Sequence, residues 1–134
     1  MPVTYTVDAG TGVVRVTCFG ALRTEEMLDC IEQVYSDPAR RPGMPTLIDW
    51  EGVQLMRVTP QGMQAAATLK TVLIDAGQPP WATVFIAPQD DAFWVARTYE
   101  VLRTGAPETV RVFRQQTEAE KWLASFGQSP RTGC

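Results

Sequence analysis

The stretch Ala82-Thr-Val-Phe-Ile-Ala87 constrains the fold of this chain more than any other. A strand with one wet face alternates polar and apolar residues. A continuous apolar run instead suits a strand covered on both faces, as happens inside a parallel sheet. Parallel neighbours need crossover connections, usually helices. An α/β fold is therefore expected.

The remaining segments fit that expectation. Val3 to Val7 and Val13 to Phe19 are β-branched and alternating, and Asp8-Ala-Gly-Thr-Gly12 between them suits a tight turn, which predicts an antiparallel hairpin. After Gly20, Thr24 can cap a helix carrying Met27, Leu28, Ile31, Val34 and Tyr35 at helical spacing, with Glu25 and Glu26 in its first turn and Pro38 at its end. The proline-rich segment from Ser36 to Pro45 predicts an irregular connection before a short buried strand, Thr46-Leu-Ile-Asp-Trp50. Thr59-Pro60 opens a second helix through about Ile74, whose alanines imply close packing. Asp90 or Asp91 can cap a third helix running to about Thr104, and Thr109 to Phe113 form the last strand. Thr117 and Glu120 have the spacing of a capping box for a closing helix with Ala119, Trp122, Leu123 and Phe126 on its apolar face. The predicted order is ββαβαβαβα: a mostly parallel sheet of about five strands, an N-terminal antiparallel hairpin at its edge and four helices. Residues 1–127 read as one domain and 128–134 as a flexible tail.

Composition narrows the function classes. The sequence contains no histidine, which removes Ser-His-Asp, Cys-His and HExxH chemistry. A net charge of −3 provides no basic footprint for nucleic acid. No apolar run approaches the roughly 20 residues a membrane-spanning helix needs, and the N-terminus lacks the features of a signal peptide. Cys18, Cys30 and Cys134 form no C-x-x-C pair and cannot all be bridged internally, so free thiols and a cytoplasmic location are expected.

Three segments carry a family resemblance: Leu47-Ile-Asp-Trp-Glu-Gly-Val53 followed by a helix; Ala82 to Ala87 leading into Asp90-Asp-Ala-Phe-Trp-Val-Ala-Arg-Thr-Tyr99; and Val110-Arg-Val-Phe-Arg-Gln-Gln-Thr-Glu-Ala-Glu-Lys-Trp-Leu123. Together they resemble the SpoIIAA-like branch of the STAS family, and the resemblance in element order covers nearly the whole chain. Anti-sigma-factor antagonists of this family bind a partner kinase and are switched by phosphorylation of a serine in an Asp-Ser-Ser-Gly-like turn at a helix start. The matching stretch here is Met56-Arg-Val-Thr-Pro-Gln-Gly62, where Thr59 is the one hydroxyl and no neighbouring Asp precedes it. A related branch of the fold class resembles CRAL-TRIO lipid-transfer domains, which enclose an apolar ligand.

The residues themselves offer several candidate surfaces. Asp49 and Glu51 read as lying at the carboxyl end of a strand, the edge where open parallel sheets bind ligands or partners. Strand-end capping or partner contact suits them better than catalysis, since no nucleophile or metal ligand accompanies them. Thr59 is a candidate phosphosite at a helix N-terminus, although an ordinary N-cap has the same geometry. Asp90 and Asp91 supply too few oxygens for a hard cation even with Asp49, and helix capping is the simpler role. Arg97 and Arg103 on one helix could bind an anion, but surface pairing with Glu100 is the simpler role. Trp50, Trp81 and Trp94, with Phe93, can line a small apolar pocket or a binding face. Cys18 and Cys30 read as small core residues.

The resemblance implies a non-enzymatic regulatory or protein-interaction domain of STAS type, presenting the strand-end turns and the helix after Thr59 to a protein partner. The alternative is an intracellular binder of a small apolar, lipid-like ligand, and an enzyme using Asp49 or Glu51 is the least supported. No cofactor loop or metal set is read, because Gly10 and Gly12 lie in a hairpin turn rather than between strand and helix. The edge hairpin leaves unpaired strand groups, and a homodimer is one way to cover them.

Overall fold

A computed structural model of the protein describes residues 2–128. The apolar run forms β4 (Trp81–Ile86), in which every residue is buried. Both of its neighbours, β3 (Thr46–Arg57) and β5 (Glu108–Phe113), pair with it in parallel. β2 (Val13–Arg23) lies parallel to β3, and β1 (Val3–Asp8) pairs antiparallel with β2, so the strand order is β1-β2-β3-β4-β5. Three helices connect adjacent parallel strands: α1 (Thr24–Ser36), α2 (Pro60–Leu73) and α3 (Asp90–Leu102). α4 (Gln116–Gln128) follows β5. The order ββαβαβαβα is the one anticipated. The predicted tail lies outside the described residues beyond Gln128.

Alternation along the strands sorts the core into two layers. Val14, Val16, Trp50, Phe85 and Val110 face one side of the sheet, where Val34, Met63, Ala66, Ala92 and Tyr99 of α1 to α3 pack on them. Val13, Leu47, Val84 and Ile86 form the other layer with Ala119 and Leu123 of α4. Three successive crossovers thus lie on one face and step the same way across the sheet, as a single handedness requires. Ala66 and Ala67 are buried on α2, which agrees with the close packing read from its alanines. Gly62 takes this further: a Cβ there would come within 2.5 Å of Thr24 Oγ1, so the starts of α1 and α2 meet across a bare glycine.

β2 and β3 run on well past Phe19 and Trp50, the ends expected from the sequence. β4 stops at the level of Asp49, paired with Ile86, while β2 and β3 continue as a two-stranded ribbon from Phe19↔Gly52 to Arg23↔Arg57. Two register shifts interrupt this ribbon, between Thr17 and Phe19 and between Gly20 and Ala21. Gly20 adopts φ 68°, a left-handed conformation that costs glycine little, so it continues the ribbon where it reads as a breaker.

Helix starts also depart in detail from the expected caps. Thr59 is the N-cap of α2 as read, its Oγ1 accepting from the Gly62 N–H at 3.0 Å. Thr24, by contrast, is already helical, and Glu26 accepts from the backbone N–H of Arg23 at 2.9 Å. The N-cap of α3 is Gln89 without a side-chain bond, so Asp90 and Asp91 stand in the first turn rather than at the cap. The Thr117–Glu120 box does not form, because α4 begins at Gln116 and Glu120 turns to Arg15 of β2 at 3.1 Å.

Candidate functional site

β5 begins at Glu108, whose side chain points with Val110 toward the α1–α3 layer and which is 2% exposed. A lone carboxylate so deeply buried would be prohibitively unfavourable, so it must be paired and hydrogen-bonded. Lys70 Nζ donates to it at 2.8 Å, Tyr99 Oη at 2.7 Å, Arg103 Nε at 2.8 Å, and the Thr83 hydroxyl donates as well. Arg103 extends the network with a two-pronged contact to Asp75 at 2.6 and 3.0 Å and a bond to Thr71 Oγ1 at 3.3 Å. The C-terminal ends of α2 and α3 are thereby tied to each other and to the start of β5. Cations suit those positions because the helix dipoles end there.

The electrostatics agree with an ionised cluster. Burial alone pushes the Glu108 carboxyl up, but the Lys70 charge and the bonds from Lys70, Thr83 and Tyr99 outweigh it and hold the group below the usual carboxylate range. For Lys70, burial pushes the ammonium down, and the Glu108 carboxylate more than offsets it.

Beside this cluster, between the sheet and helices α1 and α2, lies a cavity of about 50 Å³. Its walls are mostly apolar, with Cys18, Leu22, Ile31, Trp50, Met63 and Phe85 among them. Thr46, Lys70, Thr83, Tyr35 and Tyr99 make its polar side. Among the described residues Thr46 Oγ1 has no hydrogen-bond partner, nor do Nε and Nη2 of buried Arg40. The Arg40 guanidinium lies 4.2 Å from the centroid of the Tyr35 ring, and Tyr35 Oη accepts from Trp81 Nε1 at 2.9 Å. Burial pushes the Cys18 thiol up to about 12 and that of Cys30 up to about 11, which makes poor nucleophiles of both. Thr46, Thr83 and Glu108 lie at or near the starts of their strands, so the polar cluster occupies the amino edge of the sheet rather than the carboxyl edge expected to carry a site.

The structure does not gather the sequence-singled residues into one place. Asp49 is half-buried within β3, level with the end of β4, and its Oδ1 accepts from the Glu51 backbone N–H at 2.8 Å beside the first register shift. Glu51 is exposed, and desolvation followed by the Asp49 charge pushes its carboxyl up. Thr59 is exposed at the start of α2. Asp90 pairs with Arg114 at 2.8 Å on the surface, and Asp91 Oδ1 accepts from the Ala92 N–H at 2.7 Å. Among the described residues no three His, Cys, Asp or Glu side chains converge as a metal-binding group. Trp50 and Trp81 are core residues, which removes them from any protein-facing surface, and Trp50 lines the cavity. Arg97 does pair with Glu100, at 3.1 Å, but Arg103 is buried on Glu108 and Asp75 instead.

Trp94 differs from the other tryptophans singled out for a surface. It is 62% exposed on the outer side of α3 and borders a shallow groove with Arg97, Thr98, Val101 and Leu102. Val101 and Leu102 are exposed too, and so are Val72 and Leu73 at the end of α2, which the Arg103 contacts to Thr71 and Asp75 tie to the end of α3. Val72, Leu73, Val101 and Leu102 thus stand in water at the tied ends of two helices, and Trp94 lies about two turns back along the outer face of α3.

Comparison with known proteins agrees with this architecture. The chain has a SpoIIAA-like fold. The crystal structure of an uncharacterized protein of the DUF3478 family from Shewanella loihica PV-4, described as having a SpoIIAA-like fold, matches 90% of this chain and 93% of its own, with a TM-score of 0.55 and 15% sequence identity. That identity supports the fold alone. No protein-family model matches the sequence, and no curated protein does. Among the described residues no helix is long and apolar enough to cross a membrane.

Proposed function

We propose that the protein is a non-enzymatic, cytoplasmic interaction domain of STAS type that docks a protein partner on the outer face of α3 and the adjoining end of α2. The observation that carries this reading is the exposed set Trp94, Val101, Leu102, Val72 and Leu73. Small domains tolerate scattered exposed apolar residues, but an exposed tryptophan sharing one groove with Val101 and Leu102 is the kind of feature binding faces use. The buried ion network beneath it holds the ends of both helices in place, so the face is preorganised and a partner need not order it.

The way the carboxylates are used supports the non-enzymatic part. Glu108 is engaged by four donors and Asp49 by a backbone N–H, each consistent with a structural role. The free thiols of Cys18 and Cys30 fit a reducing compartment. Thr59, capping α2 with an exposed side chain, stays a candidate for modification, but the docking face does not depend on it.

Quantitative affinity capture from the native lysate tests the reading, with wild type compared against Val101→Asp/Leu102→Asp and against Glu118→Lys on exposed α4. A defined polypeptide captured by wild type and Glu118→Lys and lost from the double variant supports it. Identical recovery by all three removes α3 as the docking face.

A further inference from the structure

The cavity under α1 and α2 holds groups that a void left by imperfect apolar packing does not require. Thr46 is 4% exposed, and its hydroxyl borders the cavity without a partner among the described residues. Thr83 is its neighbour in register and borders the same cavity, yet its hydroxyl is satisfied by Glu108. Buried hydroxyls are normally satisfied, so the difference between these two threonines marks a missing partner on the cavity side. Lys70 points the same way. Its ammonium has three donors, of which one reaches Glu108, and the ring centroids of Tyr35 and Tyr99 lie 5.0 and 5.1 Å from Nζ.

Charge selects the kind of partner. Lys70, Arg103 and Arg40 are three cations in this region, against the two carboxylates of Glu108 and Asp75. The surplus belongs to Arg40, which is 9% exposed and forms no ion pair among the described residues; it does not border the cavity but lies behind the Tyr35 wall, its guanidinium 4.2 Å from that ring, so its charge acts through Tyr35 while Lys70 is the cation in the wall itself. A buried surplus cation is offset by an anion and worsened by a second cation. Size limits the rest. The volume of about 50 Å³ is roughly a third of a 150 Å³ apolar cavity that admits benzene, although Met27 and Met63 in the wall are adjustable enough to accept another methylene or two.

We propose that this cavity binds a short-chain monocarboxylate of about two or three carbons, its carboxylate meeting Thr46 Oγ1 and Lys70 Nζ and its hydrocarbon part lying against Trp50, Met63 and Phe85. The site is separate from the α3 face, and neither reading depends on the other.

Propionate is the probe, with 1-propanol as its neutral counterpart, titrated at constant ionic strength into the full chain carrying carbon-13 methionine methyls. Met27 and Met63 border the cavity, whereas Met44 and Met56 do not. Propionate should shift the Met27 and Met63 methyls saturably, with a dissociation constant on the order of 1 mM for so small a ligand, and leave Met44 and Met56 in place. Propanol should bind at least tenfold more weakly. Thr46→Val removes the orphan hydroxyl while keeping a β-branched strand residue, so the variant folds and its propionate affinity falls at least tenfold. Equal saturation by propanol overturns the anionic head. Shifts that never saturate with either probe leave only water in the cavity and overturn the site, and an undiminished affinity in Thr46→Val overturns the placement of the carboxylate.

Discussion

Glu108→Gln replaces the one carboxylate shared by Lys70, Tyr99, Thr83 and Arg103 with a neutral group of nearly the same shape. Packing barely changes, so the cost is electrostatic. Among the described residues Lys70 has no second carboxylate to turn to, whereas Arg103 keeps Asp75. Removing one partner of a buried ion pair typically costs about 3–5 kcal/mol, because the other charge stays buried without compensation. A domain of 134 residues is stable by only on the order of 10 kcal/mol, so the loss should be a large fraction of the total. Urea denaturation at pH 7, followed by tryptophan fluorescence, should show the midpoint falling with little change in slope. Glu118→Gln on exposed α4 should stay within about 0.5 kcal/mol of wild type. The acid limb provides a second readout. The folded-state carboxyl of Glu108 lies below its ordinary value of 4.5, so its contribution is fully present above that pH and is lost as pH falls from there through the lower folded value. Wild type should therefore lose stability more steeply below pH 4.5 than Glu108→Gln does. A loss under about 1 kcal/mol in the variant, or parallel acid limbs, would refute the ionised network.

Further predictions concern the contacts around this cluster and the surface. Gly62→Ala should destabilise by about 1–3 kcal/mol despite better helix propensity, since the new methyl meets Thr24 Oγ1 at 2.5 Å, and Thr24→Ala in the same chain should recover part of the loss in thermal melts. Arg103→Lys loses the fork to Asp75 while keeping the charge, and should cost about 1–3 kcal/mol with faster amide exchange at the ends of α2 and α3. Trp94→Ala should change stability by less than about 0.5 kcal/mol in the same melts while weakening partner capture, whereas Trp81→Ala should cost about 3–5 kcal/mol. In a Cys134→Ser background, Cys18 and Cys30 should resist a disulfide reagent at pH 8 until the chain unfolds, because burial raises both thiols.

Much of the fold is visible in local patterns. The apolar run of β4, the Thr59-Pro60 helix start and the alternation of helices and strands each arise from side chains acting on their own neighbourhood, and the element order follows from them. The long β2–β3 ribbon was hidden because its glycines punctuate a sequence, and only pairing with the opposite strand makes Gly20 and Gly52 continue it. Caps that compete for tertiary partners are illegible locally for a similar reason: Glu120 serves Arg15, distant in sequence, instead of its own helix start.

The buried cluster is the part least legible in the sequence, although two signals point toward it. Lys70 continues the Met63, Ala66, Ala67 stripe at helical spacing, and Glu108 sits two residues before Val110, on the same side of the strand. Polar residues at core positions call for a partner. Which partner each finds depends on β5 aligning with the ends of α2 and α3, and no local pattern contains that information. Among the aromatic residues, Trp50, Trp81 and Trp94 look alike in sequence, and only tertiary packing sends the first two into the core and the third into water.

Site-specific photocrosslinking in cells tests the docking claim most directly. A photoreactive phenylalanine analogue placed at Trp94, and separately at Val101, should crosslink to the same polypeptide, while the analogue at exposed Glu118 on α4 should not. Crosslinks that are equally strong from Glu118, or absent at both α3 positions, would contradict the assignment of α3 as the interaction face.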